Sequence, residues 1–408
     1  MRILWLKTGP LHPLDTGGKI RTYNMLRELK RRHELTFLAL CPDAYDQQAL
    51  AAAAEYSTRQ VWIPWQEACK GSLTFYAELA RNRRSKLPYV MAKYRSPLMT
   101  ERIHQLETEL CPDLIVCDFL TPAVNLFTNG GGRTPTLLFQ HNVESLIWKR
   151  LYENAHGLKH LYFRQQWRRL ETFERETCRR CDGVVGVSAE DCQFLRSQFG
   201  LTNVLGDVPT GVDTSYYVPM KAVQKPQSLV FLGSMDWMAN IDGAGWFAEA
   251  IFPLIRGPFP QASLTMVGRK PTPRVLELAQ THAGIRVTGT VDDVRPFLAE
   301  SQVLVVPLRV GGGTRLKIFE GMATGIPVVS TRIGAEGLPV THEQDILLAD
   351  SPADFAGCVI RLLASEPLRT RIGNEGLKLV RERCSWERIT DVFEQYCLKV
   401  GQNKKDHL

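Results

Sequence analysis

Short, almost wholly apolar runs recur along the chain, spaced so that a helix fits between most of them. The first is RILWL at 2–6. A polar loop, KTGPLHPLDTGGKIR, follows, and then a pattern from 20 to 32 that puts Tyr23, Leu26 and Leu29 on one helical face. Further runs lie at 34–40, 113–117 (DLIVC), 136–139 (TLLF) and 183–187. Runs without polar alternation suit strands covered on both faces, as in parallel sheets. Between them, 46–106 reads as mostly helical and 145–180 as one long helix rich in arginine and aromatics. Ser188-Ala189-Glu190-Asp191 supplies an N-cap and first turn for another helix.

Residues 204–229 break the rhythm with prolines, glycines and polar residues, the composition of a linker. The alternation then restarts, with strands at 229–232, 262–267, 285–288, 303–307, 328–331 and 346–347. Helices are expected at 241–255, 274–279, 291–298, 314–324 and from 352 to 397. Strand–helix alternation twice over predicts an α/β protein of two Rossmann-like, doubly wound parallel-sheet domains facing a central cleft, the default ligand site. The expected limits are 1–205 and 206–385, with 386–408 a C-terminal helix crossing back to the first domain.

The stretch 303–331, VLVVPLRVGGGTRLKIFEGMATGIPVVST, carries the densest candidate chemistry. A buried-type strand runs into Gly311, Gly312 and Gly313, and a helix follows. Glycines allow close backbone approach, and a helix N-terminus offers free N–H groups to an anion. Arg315 and Lys317 flank the helix start and Glu320 lies one to two turns along it. Two readings stay open on these residues alone: a phosphate site, or a glycine-rich turn ahead of a solvated basic helix. In the first domain, Gly17 and Gly18 stand at a helix entrance. They lack the G-x-G-x-x-G spacing of a nicotinamide site. Gln140-His141-Asn142 ends a predicted strand, where open α/β sheets place ligand-binding groups; a satisfied core or loop histidine is the competing reading of His141.

Composition narrows the class. Hydrophobic residues make up 44% and charged residues 23%, the balance of a soluble globular protein. The N-terminal run meets glycine too early for a secretory signal, and no run reaches the roughly 18 to 20 apolar residues of a membrane span, so a cytosolic protein is expected. Ten scattered cysteines read as reduced thiols, and the one tight pair, Cys178 and Cys181, lacks the second pair of a zinc site. The net charge of +7 is uneven: Lys plus Arg against Asp plus Glu is 28 to 21 over 1–205 and 22 to 22 over 206–408. The first half therefore holds all the excess. With the aromatics around Arg81, Arg83, Arg84 and Lys86, this suits the anionic inner face of a membrane, and equally a plain exposed turn. Nucleic acid is excluded as a partner for want of a reader motif.

FLGSMDWMANIDGAGWF (231–247), LTMVGR (264–269), VTGTVDDVRPFL (287–298), GGGTRLKIFEGMATGIPVVST (311–331) and VPTGVDTSYY (208–217) resemble the family 4, group 1 glycosyltransferases, and the DTGGKIR loop and QHN triplet extend the likeness over most of the chain. More narrowly the chain resembles the exosortase-associated exopolysaccharide sugar transferases. The resemblance implies the GT-B fold and metal-independent, retaining transfer from a nucleotide-diphosphate sugar, with no cofactor, to a glycan or polyprenyl-diphosphate-linked acceptor in bacterial exopolysaccharide or cell-surface glycan synthesis. It implies ribose binding by Glu320 and diphosphate or sugar contacts by Gly312, Gly313, Thr314, Arg315, Leu316, Gly233, Ser234 and Arg269. Gly17 and Gly18 would approach the diphosphate, and His141, Arg315 and Lys317 would serve catalysis. The departing diphosphate would act as base toward the incoming hydroxyl, without a protein nucleophile. Two features depart from the family pattern. The first of its two glutamates, eight positions before Glu320, is replaced by Gly312, and the cations after the strand at 229–232 give way to Gly-Ser-Met-Asp-Trp. Arg315, Lys317 and Arg269 are left to supply that charge. A nucleotide-sugar-binding regulatory protein of the same fold is the alternative expectation.

Overall fold

The computed structural model describes residues 1–127, 134–153, 155–310 and 316–402. The chain divides into two compact units, one of Met1–Pro209 with Ile389–Leu408, the other of Thr210–Arg388.

The first unit is a seven-stranded parallel sheet in the order β3-β2-β1-β4-β5-β6-β7. Its strands are β1 (Arg2–Lys7), β2 (Glu34–Cys41), β3 (Arg59–Pro64), β4 (Leu114–Asp118), β5 (Thr136–Phe139), β6 (Gly183–Gly186) and β7 (Val204–Asp207). Along β1, Ile3 to Leu6 are all buried, which is why the apolar run shows no alternation. Two strands escape the hydrophobic pattern. β3, RQVWIP, sits at a sheet edge and is only partly covered, so its sequence lacks a continuous apolar run. β7, VLGD, lies at the other edge inside the linker-like stretch. The helical stretch expected over 145–180 is two helices, Glu144–Glu153 and Gly157–Arg180, parted just before a glycine at φ +61°.

The helix Trp386–Gln402 buries Ile389, Phe393, Cys397 and Val400, one stripe at helical spacing. Phe393 meets the rings of Trp5 and Phe139, with centroids 5.7 and 4.9 Å apart. At its rim Arg32 Nη2 lies 2.8 Å from Asp391 Oδ1 and His33 Nε2 lies 2.6 Å from Glu394 Oε1.

The second unit is a six-stranded parallel sheet in the order β10-β9-β8-β11-β12-β13. Its strands are β8 (Ser228–Leu232), β9 (Ser263–Val267), β10 (Ile285–Val287), β11 (Val303–Val306), β12 (Val328–Ser330) and β13 (Leu347–Leu348). β8 and β11 are buried at every position. In each sheet the strand order turns outward from a central pair, β1 with β4 and β8 with β11. Helices following such a pair leave to opposite faces and open a crevice at the carboxyl ends of the strands, where open α/β sheets bind ligands.

Candidate functional site

In the first unit the crevice is filled by a buried polar cluster. Lys7 ends β1, Asp118 ends β4, and His141 follows β5 by two residues. Asp118 Oδ2 accepts hydrogen bonds from Lys7 Nζ at 2.6 Å, Thr22 Oγ1 at 2.7 Å and Trp5 Nε1 at 3.0 Å. His141 Nε2 lies 2.8 Å from Asp118 Oδ1, though its ring N–H is not in line for a hydrogen bond. Burial alone would raise the Asp118 carboxyl, but Lys7 and His141 hold it below the usual carboxylate range. Burial lowers the Lys7 ammonium against the opposing pull of Asp118, and pushes the His141 imidazole down to about 3 despite the same carboxylate. We take the imidazole as neutral and Lys7 as the counter-charge of Asp118, because the shorter contact and the full proton belong to the lysine.

The ring of Phe119 stacks on His141 with centroids 3.8 Å apart and an interplanar angle of 20°. Phe119 holds φ +74°, a costly backbone for a bulky residue and of a kind concentrated at functional sites. Gly17 and Gly18 open the helix Gly17–Leu29 and are not the loop ahead of it. A Cβ on Gly18 would stand 2.9 Å from Phe119 Cζ, so glycine lets this helix start against the stacked pair. Thr16, at the N-cap, gives no side-chain bond, which leaves the first-turn N–H groups without a cap from it. Arg21, on the same helix, is 5% exposed, and its Nε has no hydrogen-bond partner. Burial pushes its guanidinium down to about 10, against Asp118 and Asp191.

In the second unit the corresponding crevice has glycines at two strand ends and a polar network around them. Gly233 follows β8 and Gly268 follows β9, and a Cβ on Gly268 would collide with the carbonyl oxygen of Gly233. Arg269 Nε donates to Ser234 Oγ at 2.8 Å, and Ser234 Oγ donates to Asp236 Oδ1 at 2.6 Å. Asn240 Nδ2 donates to the Ser234 carbonyl at 2.8 Å and its Oδ1 accepts from Lys317 Nζ at 2.7 Å. Lys317 also stands 4.9 Å from the centroid of the Phe231 ring. Lys317 and Glu320 share the helix Leu316–Thr324. Burial raises the Glu320 carboxyl above its ordinary value, opposed by a hydrogen bond from the Tyr217 hydroxyl and by Lys317.

Among the sequence-derived candidates, Gly233, Ser234, Arg269, Lys317 and Glu320 thus belong to one crevice of the second unit, and Gly17, Gly18 and His141 to that of the first. Gly312, Gly313, Thr314 and Arg315 lie outside the described residues. Lys7, Thr22, Arg21, Asp118, Tyr217 and Asn240 were not singled out. Lys7 and Asp118 do leave a signal, since each is a charge closing an otherwise apolar strand. Among the described residues no group of three or more His, Cys, Asp or Glu could hold a metal ion, and no helix is long and apolar enough to cross a membrane.

Residues 16–216 match the model of Glycosyltransferase Family 4, and residues 226–365 match that of Glycosyl transferases group 1. The lipopolysaccharide core biosynthesis glycosyltransferase LpsE of Rhizobium meliloti is 35% identical over 118 residues, 27% of this chain and 33% of that one. Sucrose-phosphate synthase from Thermosynechococcus elongatus shares the fold with a TM-score of 0.67 at 17% identity, covering 98% of this chain and 99% of its own. HepE of Anabaena, solved in complex with UDP-glucose, superposes with a TM-score of 0.62 at 13% identity over 97% of this chain and 99% of its own.

Proposed function

Because the chain belongs to the family 4, group 1 glycosyltransferases and has their GT-B fold, we propose that it moves a sugar, with retention at the anomeric carbon, from a nucleoside-diphosphate sugar to a glycan or lipid-linked acceptor of bacterial exopolysaccharide or cell-surface glycan. The observation that carries the donor assignment is the second unit's crevice. There Gly233 and Gly268 follow two neighbouring strands beside Ser234 and Arg269, while Glu320 and Lys317 stand on a helix tied to the same loop through Asn240. A carboxylate accepts two ribose hydroxyls, an ammonium answers a diphosphate, and bare backbone lets both come close. The complex of HepE with UDP-glucose supports a uridine nucleotide as the first donor to try.

The first unit would serve the sugar and the acceptor. A neutral imidazole adds no cation of its own beside the Asp118 carboxylate, so it would tolerate positive charge building at an anomeric carbon. The leaving diphosphate would take the acceptor proton on the same face, which preserves configuration without a protein nucleophile. Cationic side chains, Lys317 and Arg315 first, would neutralise it without a metal. The role of lipopolysaccharide-core LpsE supports an envelope glycan as acceptor.

Leu73 and Tyr76 are 90% and 60% exposed on one helix, and Leu161 is 61% exposed on another that binds the first through Arg169, which donates to the carbonyls of Asn82 and Arg83. With Arg81, Arg83 and Arg84 at the end of the first of these helices, these exposed apolar and basic residues suit peripheral contact with anionic lipid at the inner face of the cytoplasmic membrane.

A thermal-shift screen against nucleoside diphosphates and their sugars tests the donor assignment, since a ligand at a hundredfold excess over its Kd adds about 2.7 kcal/mol to the native state. We expect a rise in Tm with at least one nucleotide, lost in Glu320→Gln. No shift with any of them would reject the reading. Proton NMR of the product linkage separates retention from inversion.

A further inference from the structure

Glu174 takes no part in the cluster around Asp118, yet it is tied to the segment that carries His141. It sits on the helix Gly157–Arg180 and is 0% exposed. Its Oε1 accepts from the side chain of Gln140 at 3.0 Å and from the backbone N–H of Glu144 at 2.8 Å. Its Oε2 accepts from the backbone N–H of Ser145 at 3.0 Å. The two backbone donors belong to the first turn of the helix Glu144–Glu153, so a carboxylate from a neighbouring helix caps it. Gln140 is also held on its other side, its backbone N–H donating to the Val185 carbonyl at 2.8 Å. His141 is therefore bracketed. Gln140 before it and Glu144 and Ser145 after it converge on one buried carboxyl group, while its own ring faces Asp118 and Phe119.

We propose that Glu174 is a positioning residue for His141: its carboxylate clamps Gln140, Glu144 and Ser145 so that the imidazole keeps its place between Asp118 and the Phe119 ring. A helix start can be capped far more cheaply by a local serine or aspartate, as Ser188 caps Ala189–Phe199 through the Asp191 N–H. Here burial pushes the Glu174 carboxyl up to about 7 in spite of the donors aimed at it, with Glu144 and Cys178 also close. The fold keeps an expensive group where it fixes both flanks of one histidine. The functional weight of this clamp rests on the role proposed above for His141.

The test is imidazole NMR on the full chain labelled with 15N-histidine, the His141 signals being assigned by their loss in His141→Gln. In the native protein these signals should be shifted by the Phe119 ring current and should not titrate between about pH 5 and 8, since the imidazole is held down near 3. In Glu174→Gln, which keeps one acceptor oxygen, and in the milder Glu174→Asp, we expect the ring-current shift to shrink and the midpoint to rise toward its ordinary value. Nucleotide-induced thermal stabilisation should stay unchanged. Folded variants with native His141 shifts and titration would overturn the inference. So would loss of the fold in both, because Glu174 would then serve stability alone. If His141→Gln keeps full transfer activity, the catalytic reading of His141 fails, whatever the NMR shows.

Discussion

The two units repeat one strand order about a central pair, yet they dress the crevice in opposite ways. In the first, side chains occupy it: an ammonium, a hydroxyl, an indole and an imidazole converge within 3.0 Å of the two oxygens of the Asp118 carboxylate. In the second, glycines let backbone pack on backbone: Gly268 meets the carbonyl of Gly233 with no room for a methyl group, and the Asn240 side chain packs on Gly233. The contrast teaches that topology decides where a site lies and leaves its chemistry open. A filled, buried network fixes charge in advance, as suits a reacting centre. Glycine-ended strands with Arg269 and Lys317 close by set cations beside backbone, as suits a nucleotide's phosphates.

The sharpest way to break this contrast is at Asp118. Asp118→Ala leaves Lys7 buried without its counter-charge and Arg21 with Asp191 alone, so it should cost about 3–5 kcal/mol of stability in urea unfolding, as removing one partner of a buried pair does. A loss under about 1 kcal/mol would mean that the network is not held together by that carboxylate. Transfer activity should vanish in the same variant.

Gly268→Ala probes the second unit's crevice. The added methyl must push Gly233 aside, at about 1–3 kcal/mol for overpacking, and nucleotide binding should fall with it. Calorimetric titration with uridine diphosphate checks this, and unaltered affinity would count against a ligand on that backbone.

The smallest effect is a pH slope from His141 in the first unit. Burial depresses His141 to about 3, whereas the unfolded chain takes up its proton near the ordinary imidazole value. The unfolded state therefore binds more protons between these limits, and native stability falls as pH drops through that window. The slope is on the order of 1.4 kcal/mol per pH unit once the unfolded histidine is protonated. His141→Gln should lose this increment when both proteins are unfolded in urea at about pH 6 and 4.5. Equal slopes would show that the imidazole is already protonated in the native state.

Much of the architecture was legible because parallel strands buried on both faces write themselves as unbroken apolar runs, and β1, β4, β5, β8 and β11 all do. The edge strands β3 and β7 did not, since half-covered strands carry polar residues. The break at Gly157 was hidden in a long run of good helix formers. At the sites, glycines and the histidine stood out by type and position. Lys317 reads from sequence as an exposed cation and is in fact bonded to Asn240. Glu174 gave no signal, one acid among several on a charged helix.

Sequence alone determined the class of fold and the repetition of it, because burial periodicity is a local property of the chain. Only tertiary structure decided which charges face one another. Lys7 and Asp118 lie 111 positions apart, and Gln140 and Glu174 lie 34 apart. A pair energy depends on distance in space and on the water excluded between the partners. Neither is written in the order of residues until the strands are side by side.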